Sequence, residues 1–271
     1  MNDKNFLPLT YLRPAEELIS GATKLKDNKR QNIEYPWDLI KNLKADLEED
    51  LGKLGAGIKG EVHPSVAFYN KENILVEKGA EIGAHSTLDA RQGPIYIGEG
   101  TIVHPGTLLR GPLSIGKHCR IAGELVASIL MDYVNKGHYG FLGHSYICSW
   151  VNMGAGTTNS NMKNNYGSVK VMLDGKQVDT GETFMGCFIG DHTKTAIGTM
   201  IYTGCVIGIC SNLFGEPFYK KSVPSFAWGL KGTMKIEDAI EIARAAMNRR
   251  KVELSNAEEE NIRKVFKQTA S

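Results

Sequence analysis

Nine polar residues gather within about thirty positions of the chain: Lys136, His138, Asn152, Asn159, Asn161, Lys163, Asn164, Asn165 and Tyr166. They cluster without the charges expected of a solvated loop. A neutral His138 beside a wall of amide donors suits the uptake of a proton from an attacking nucleophile. Exposed backbone N–H groups at Gly154 and Ala155 suit a developing oxyanion. Each feature also has a plainer use. His138 can pin its loop by a hydrogen bond, and stacked asparagines satisfy backbone at the corners of a repeat. Which use holds depends on the elements that carry these residues.

Those elements follow from an aliphatic beat of roughly six residues: Val76, Ile82, Leu88, Ile97, Val103, Leu109, Ile115 and Ile121, with one three-residue slip after Leu88. The beat returns at Ile147 and Met153, then at Ile189, Thr195, Ile201 and Ile207. A helix cannot use a period of six, and an alternating strand would bury every second residue. A parallel β-helix with three short faces per coil uses it directly, one inward residue per face and about eighteen residues per coil. Glycine is frequent because tight corners need it. The beat predicts coils from about Ile58 to Ile209 with two interruptions, Ser128 to Tyr146 and Thr157 to Cys187. Both hold members of the polar cluster. Insertions into a solenoid leave it on one face, often the binding face. In a coil of about eighteen residues, positions near 138 and 155 stack one above the other. Lys136 and His138 are then expected beside Asn152 and Gly154-Ala-Gly156.

The chain has 271 residues and a formal net charge of +2, which argues against a nucleic-acid partner selected by bulk charge. Cys119, Cys148, Cys187, Cys205 and Cys210 show no CxxC pairing and read as reduced packing residues. The opening MNDKNFLPLT lacks the apolar core of a signal peptide, and no stretch approaches a membrane span. A cytoplasmic protein with neither membrane nor nucleic-acid partners is expected.

The ends lack the beat. Leu39-Ile40, Leu43, Leu47, Leu51 and Leu54 predict an amphipathic helix entered through Pro36-Trp37-Asp38 and ended near Gly55. Residues 236 to 247 predict a second, and Ser255 with Glu258 a capping box opening a third. Ile262, Val265 and Phe266 give that helix a face to dock. The expected organisation is a helical segment over 1–57, the β-helix over 58–229 and C-terminal helices over 230–271.

Three runs carry a resemblance: Asn135-Lys-Gly-His-Tyr-Gly-Phe-Leu-Gly, Trp150-Val-Asn-Met-Gly-Ala-Gly-Thr and Asn161-Met-Lys-Asn-Asn-Tyr-Gly. They resemble the acetyltransferase half of the bifunctional UDP-N-acetylglucosamine diphosphorylase/glucosamine-1-phosphate N-acetyltransferases, in the variant branch found in Bacteroidetes-like bacteria. Leu7-Pro-Leu-Thr-Tyr-Leu-Arg-Pro14, Tyr35-Pro-Trp-Asp38 and Ser225-Phe-Ala-Trp-Gly229 look like the same branch. The resemblance implies a left-handed parallel β-helix assembled as a homotrimer, with active sites between subunits. It implies acetyl-CoA as co-substrate, an amino-sugar phosphate as acceptor and no metal. His138 matches the general base. Asn152 and Asn161 match sugar-binding residues, and Ala155 the backbone N–H that meets the thioester carbonyl, with Gly154 beside it. Lys136, Lys163, Asn165 and Tyr166 become candidates for the sugar phosphate, and Arg110 or Arg120 adds a charge-assisted contact.

Two departures matter. No Gly-rich phosphate loop lies in the first fifty residues, so nucleotidyl transfer is not expected and residues 1–57 read as a remnant of that domain. Phe141 and Met162 stand where the better-known branch carries tyrosines, which leaves the amino sugar open. A trimeric binding or scaffold protein is the competing reading. A zinc enzyme like the γ-class carbonic anhydrases is a third, but His63, His85, His104, His118, His138, His144 and His192 show no matching close pair.

Overall fold

The six-residue beat winds into a parallel β-solenoid of about nine coils. The structure, a computed structural model, describes residues 2–27, 33–215, 218–219, 221–230 and 232–269. Face 1 stacks nine strands from Gly57–Ile58 to Ser222–Val223, and face 2 a parallel series from Glu61–Val62 to Ala227–Trp228. Face 3 runs from Ala67–Tyr69 to Phe141–Gly143, then continues through Thr158–Asn159 and Met200–Ile201. Register places like on like: Ile97 over Ile115, Val103 over Ile121, Leu109 over Leu125. All six are buried in one apolar column along the axis. Each such side chain contributes about 1.5–3 kcal/mol of transfer free energy. The glycine that follows an inward aliphatic residue allows the next coil to approach. A Cβ at Gly98 would lie 2.7 Å from the carbonyl carbon of Gly116.

Two expectations about the coils are corrected. The stretch Ser128 to Tyr146 is no interruption. Ile129–Leu130, Asn135–Lys136 and Phe141–Gly143 form the three faces of an ordinary coil. The beat vanishes there because Lys136 takes the inward place stacked on Ile121. The solenoid also continues past Ile209 to Trp228, which pairs with Asn212, with Leu213, Val223 and Ala227 in the inward column. The second interruption is a true insertion, leaving face 3 after Asn159 and rejoining face 1 at Cys187. It carries the hairpin Lys170–Leu173 with Lys176–Asp179.

Face 1 is roofed by the N-terminal segment and the insertion. Helix α1 (Pro36–Leu54) turns Leu39, Leu43 and Leu47 onto Leu75, Ile129, Tyr146 and Phe188, where Val169 and Val171 of the insertion join them. Asp38 caps α1 by accepting from the N–H of Tyr35 at 2.9 Å, and Gly55 ends it at φ +76°. Arg13 anchors the segment before α1 through two hydrogen bonds to Asp191, at 2.6 and 2.9 Å. Helices α2 (Ile236–Asn248) and α3 (Asn256–Thr269) pack Ile240, Ala243, Met247, Ile262 and Val265 on Ile209, Cys210 and Phe226. The Ser255 hydroxyl receives the N–H of Glu258, while a Glu258 carboxylate oxygen receives the N–H of Ser255 at 3.0 Å, the expected capping box. Among the described residues no helix is long and apolar enough to cross a membrane. All five cysteines are buried, and burial pushes the Cys119 and Cys187 thiols up to about 12.

Candidate active site

One cavity of about 1020 Å³ lies over face 2, between its outward side chains and the C-terminal end of α2. Its floor is a column of polar residues standing one per coil: Arg120, Asn135, Asn152 and Lys194. The Asn135 amide donates to the Asn152 side-chain oxygen. One wall is a ladder of rings at the corner between faces 1 and 2. His118, Tyr133, Trp150 and His192 stack in turn with centroids 5.1, 4.1 and 6.3 Å apart. All four have positive φ, from 55 to 64°, a conformation few non-glycine residues adopt and which here recurs at each coil's corner. Offset stacking of such rings helps hold the ladder in register.

The opposite wall is the corner between faces 2 and 3, where Gly137 and His138 line the cavity. The expected stacking holds there. The N–H of Gly156 donates to the Tyr139 carbonyl at 3.1 Å, so the 154–156 corner lies against the 137–140 corner. Gly154 is required by close approach, since a Cβ there would sit 2.6 Å from the Ala196 carbonyl carbon. Its own N–H is committed to the next coil, to the carbonyl and hydroxyl of Thr195, both at 3.1 Å. Of the two backbone donors expected, only Ala155 lacks an acceptor among the described residues. His138 is exposed, and its imidazole makes no hydrogen bond there.

Lys136 does not face the cavity. It is 1 % exposed, and its ammonium points into the coil to donate to the carbonyls of His138 at 2.5 Å and Ala122 at 3.1 Å. Burial pulls its pKa down to about 8. A direct contact with a sugar phosphate is incompatible with that placement, because both the side chain and its charge are inside the wall.

The remaining expected residues collect elsewhere. Asn161 lies at the corner between faces 3 and 1, its amide nitrogen 2.9 Å from Nδ1 of His144. Burial, then the nearby charge of Arg110, pulls the His144 pKa down to about 4. His144 is therefore neutral, and Nδ1 accepts from the amide. Arg110 projects from face 3 and pairs with Glu124 on the adjacent coil. Lys163, Asn165 and Tyr166 sit on the insertion. The Lys163 ammonium donates to the Ser168 carbonyl at 2.9 Å, Asn165 accepts from the N–H of Gly167, and Tyr166 is exposed. Arg120 alone of the expected basic residues lines the cavity. A single chain thus holds two separate groups, His138 with Asn152 and Ala155 on one corner, Asn161 with His144 on another.

Sequence reasoning missed most of the cavity's other lining: the ring ladder, Lys194, and Arg249 with Arg250 at the end of α2. A signal for the ladder existed. His118, Tyr133, Trp150 and His192 each stand two residues before a face 2 strand that starts with Arg120, Asn135, Asn152 or Lys194. The two arginines gave none, since basic residues at a helix C-terminus serve the helix dipole anyway.

Fold and site together define a hexapeptide-repeat β-solenoid with a polar cleft at a coil corner. No family model matches the chain. Curated relatives do. The bifunctional sugar-1-phosphate nucleotidylyltransferase/acetyltransferase of Sulfurisphaera tokodaii is 29% identical over 206 residues, 70% of this chain and 48% of that protein. The bifunctional protein GlmU of Methanocaldococcus jannaschii is 29% identical over 197 residues, 71% and 45% of the two chains. The chain spans about half the length of the curated relatives it matches. The matches fit the C-terminal acetyltransferase part of those proteins. Among solved structures, a hexapeptide transferase family protein from Anaplasma phagocytophilum aligns with TM-score 0.23 at 17% identity, over 71% of this chain and 90% of that one. A perosamine N-acetyltransferase from Caulobacter crescentus, in complex with CoA and GDP-perosamine, aligns with TM-score 0.17 at 16% identity, over 64% and 62%.

Proposed function

We propose that this protein transfers an acetyl group from acetyl-CoA to the amine of an amino-sugar phosphate of the glucosamine-1-phosphate kind. The observation that carries the reading is the stacking of the His138 corner on the Gly154–Gly156 corner, beside Asn152 on the cavity floor. His138 takes a proton from the 2-amine as its nitrogen attacks the thioester carbonyl. The N–H of Ala155 meets the carbonyl oxygen as charge develops on it. The C–N bond forms, the C–S bond breaks, and the thiolate leaves to be protonated by solvent or by the imidazolium. Asn152, held by Asn135, orients the sugar.

The same reading makes the working unit a homotrimer whose sites join the two groups from different subunits. Large exposed apolar side chains support it by where they stand. Tyr69 and Met200 lie on face 3, and Tyr139, Ile197 and Phe214 on its corner with face 2. Face 1 is already covered by the chain itself.

The test is thiol release from acetyl-CoA in the presence of glucosamine-1-phosphate, comparing the natural protein with His138→Ala. Turnover that falls by about a hundredfold or more in the variant is expected. Turnover indifferent to the substitution moves the chemistry elsewhere. A folded protein with no turnover on this or any other amino-sugar phosphate overturns the reading in favour of a scaffold.

A further inference from the structure

The cavity that holds His138 and Asn152 is unbalanced in charge. Arg120, Arg249, Arg250 and Lys251 line it, together with Lys194, whose ammonium is turned to the Trp150 and His192 carbonyls at 2.9 Å, and none of its described lining residues is a carboxylate. Arg249 is the C-cap of α2 and Arg250 follows it, after which the chain reverses through Lys251 at φ +58°. The reversal is locked by the N–H of Val252 donating to the Met247 carbonyl at 3.1 Å, with Met247 itself buried. The arginine pair is therefore mounted on a rigid element that α3 braces from behind, rather than on a swinging tail.

A dipole role for these arginines is satisfied by their position alone, but it does not call for a second cationic surface opposite. Arg120 supplies one. It comes from a different element, the floor of face 2, and its guanidinium is fixed by donation to the carbonyls of Cys119 at 2.9 Å and Gly100 at 3.2 Å. Burial lowers the Arg250 pKa, and the nearby charges of Arg120 and Arg249 lower it further. Two elements thus converge like charges on one open cleft, which raises its energy when it is empty. An anion between them reverses that sign, and arginine forks match phosphate oxygens in pairs.

We propose that Arg249 and Arg250, with Arg120 opposite, form a phosphate-binding subsite, placed by α2 on the His138 cavity. Its chemistry is that of a phosphate or diphosphate group. Which molecule brings the group, the acceptor sugar or the acyl-carrying CoA, rests on the acetyl-transfer reading.

The direct test needs no turnover. Inorganic pyrophosphate is titrated into the whole protein by calorimetry at fixed salt, for the natural chain, for Arg249→Gln, for Arg250→Met and for Lys78→Met. Lys78 is exposed and outside the cavity, so it controls for bulk charge. Arg249 is exposed, so its substitution is expected to leave folding intact. Pyrophosphate affinity is expected to fall at least tenfold in each arginine variant and to stay unchanged in Lys78→Met. No binding by the natural protein, or equal binding by all four, overturns the subsite. Steady-state kinetics on Arg249→Gln then assign the source. A raised KM for glucosamine-1-phosphate names the sugar, and a raised KM for acetyl-CoA names the carrier. Arginine-dependent pyrophosphate binding without any acetyl transfer overturns the reaction and leaves the anion site. Vigorous transfer with both KM values unmoved in Arg249→Gln does the reverse.

Discussion

Lys136 shows how one residue can hide a coil and shape a site. It occupies an inward place that Ile121 fills one coil earlier, so it breaks the aliphatic beat from which the coils were read. Its ammonium holds the carbonyl of His138, which ties the backbone bearing the proposed base to the coil interior. Lys136→Met keeps the length and loses the donor. It is expected to lower kcat at least tenfold with little change in either KM, because the base is misplaced while the binding groups stay. Unchanged kcat would show that His138 needs no such tether. The same residue gives a pH signature. Its folded pKa, about 8, lies below the unfolded value near 10.5, so between these the unfolded chain binds the proton that the folded one has released. Its contribution to stability therefore rises as pH climbs from 8 through 10.5, by on the order of 3 kcal/mol. Urea midpoints of the natural protein and Lys136→Met should diverge in that window, the natural chain gaining relative to the variant. Parallel curves would mean that Lys136 is not buried as described.

At the scale of elements, legibility followed periodicity. The capping box at Ser255, the entry to α1 at Pro36 and the coils from Ile58 onward were readable because each rests on local chemistry with a fixed spacing. The packing of the N-terminal segment was not, because it is set by contacts far apart in sequence. Tyr146 receives the N–H of Ile19 at 2.8 Å, and Arg13 reaches Asp191, whose side chain is 1 % exposed. Nothing in either sequence neighbourhood announces its partner. Breaking such a pair strands a buried carboxylate, which costs about 3 kcal/mol. Arg13→Met should therefore lower the unfolding midpoint and expose the segment before α1 to limited proteolysis. Asp191→Asn, which strands only the less deeply buried Arg13 guanidinium and keeps an acceptor for it, should be milder. If Arg13→Met unfolds like the natural protein, the segment is held by its apolar contacts alone.

For the whole molecule, the decisive fact is that His138 and Asn161 lie at different corners, on successive coils. The resemblance in the sequence placed both in one active site, and the fold places them apart. Both statements hold together only if a site takes one group from each of two subunits, which a cyclic arrangement supplies three times over. His138→Ala and Asn161→Ala should each be nearly inactive as pure trimers. Unfolded together, mixed one to one and refolded, they form hybrid trimers in which some sites receive an intact His138 from one chain and an intact Asn161 from the other. Random assortment restores about one quarter of the natural number of sites. Recovery near that fraction, measured by thiol release after confirming the trimer by light scattering, supports the shared site. Trimers that assemble but recover nothing would place both residues of each site in the same chain, or remove one of them from the chemistry. A monomer that turns over at the natural rate would confine catalysis to the face 2 cavity, with Asn161 left to hold His144 and the insertion in place.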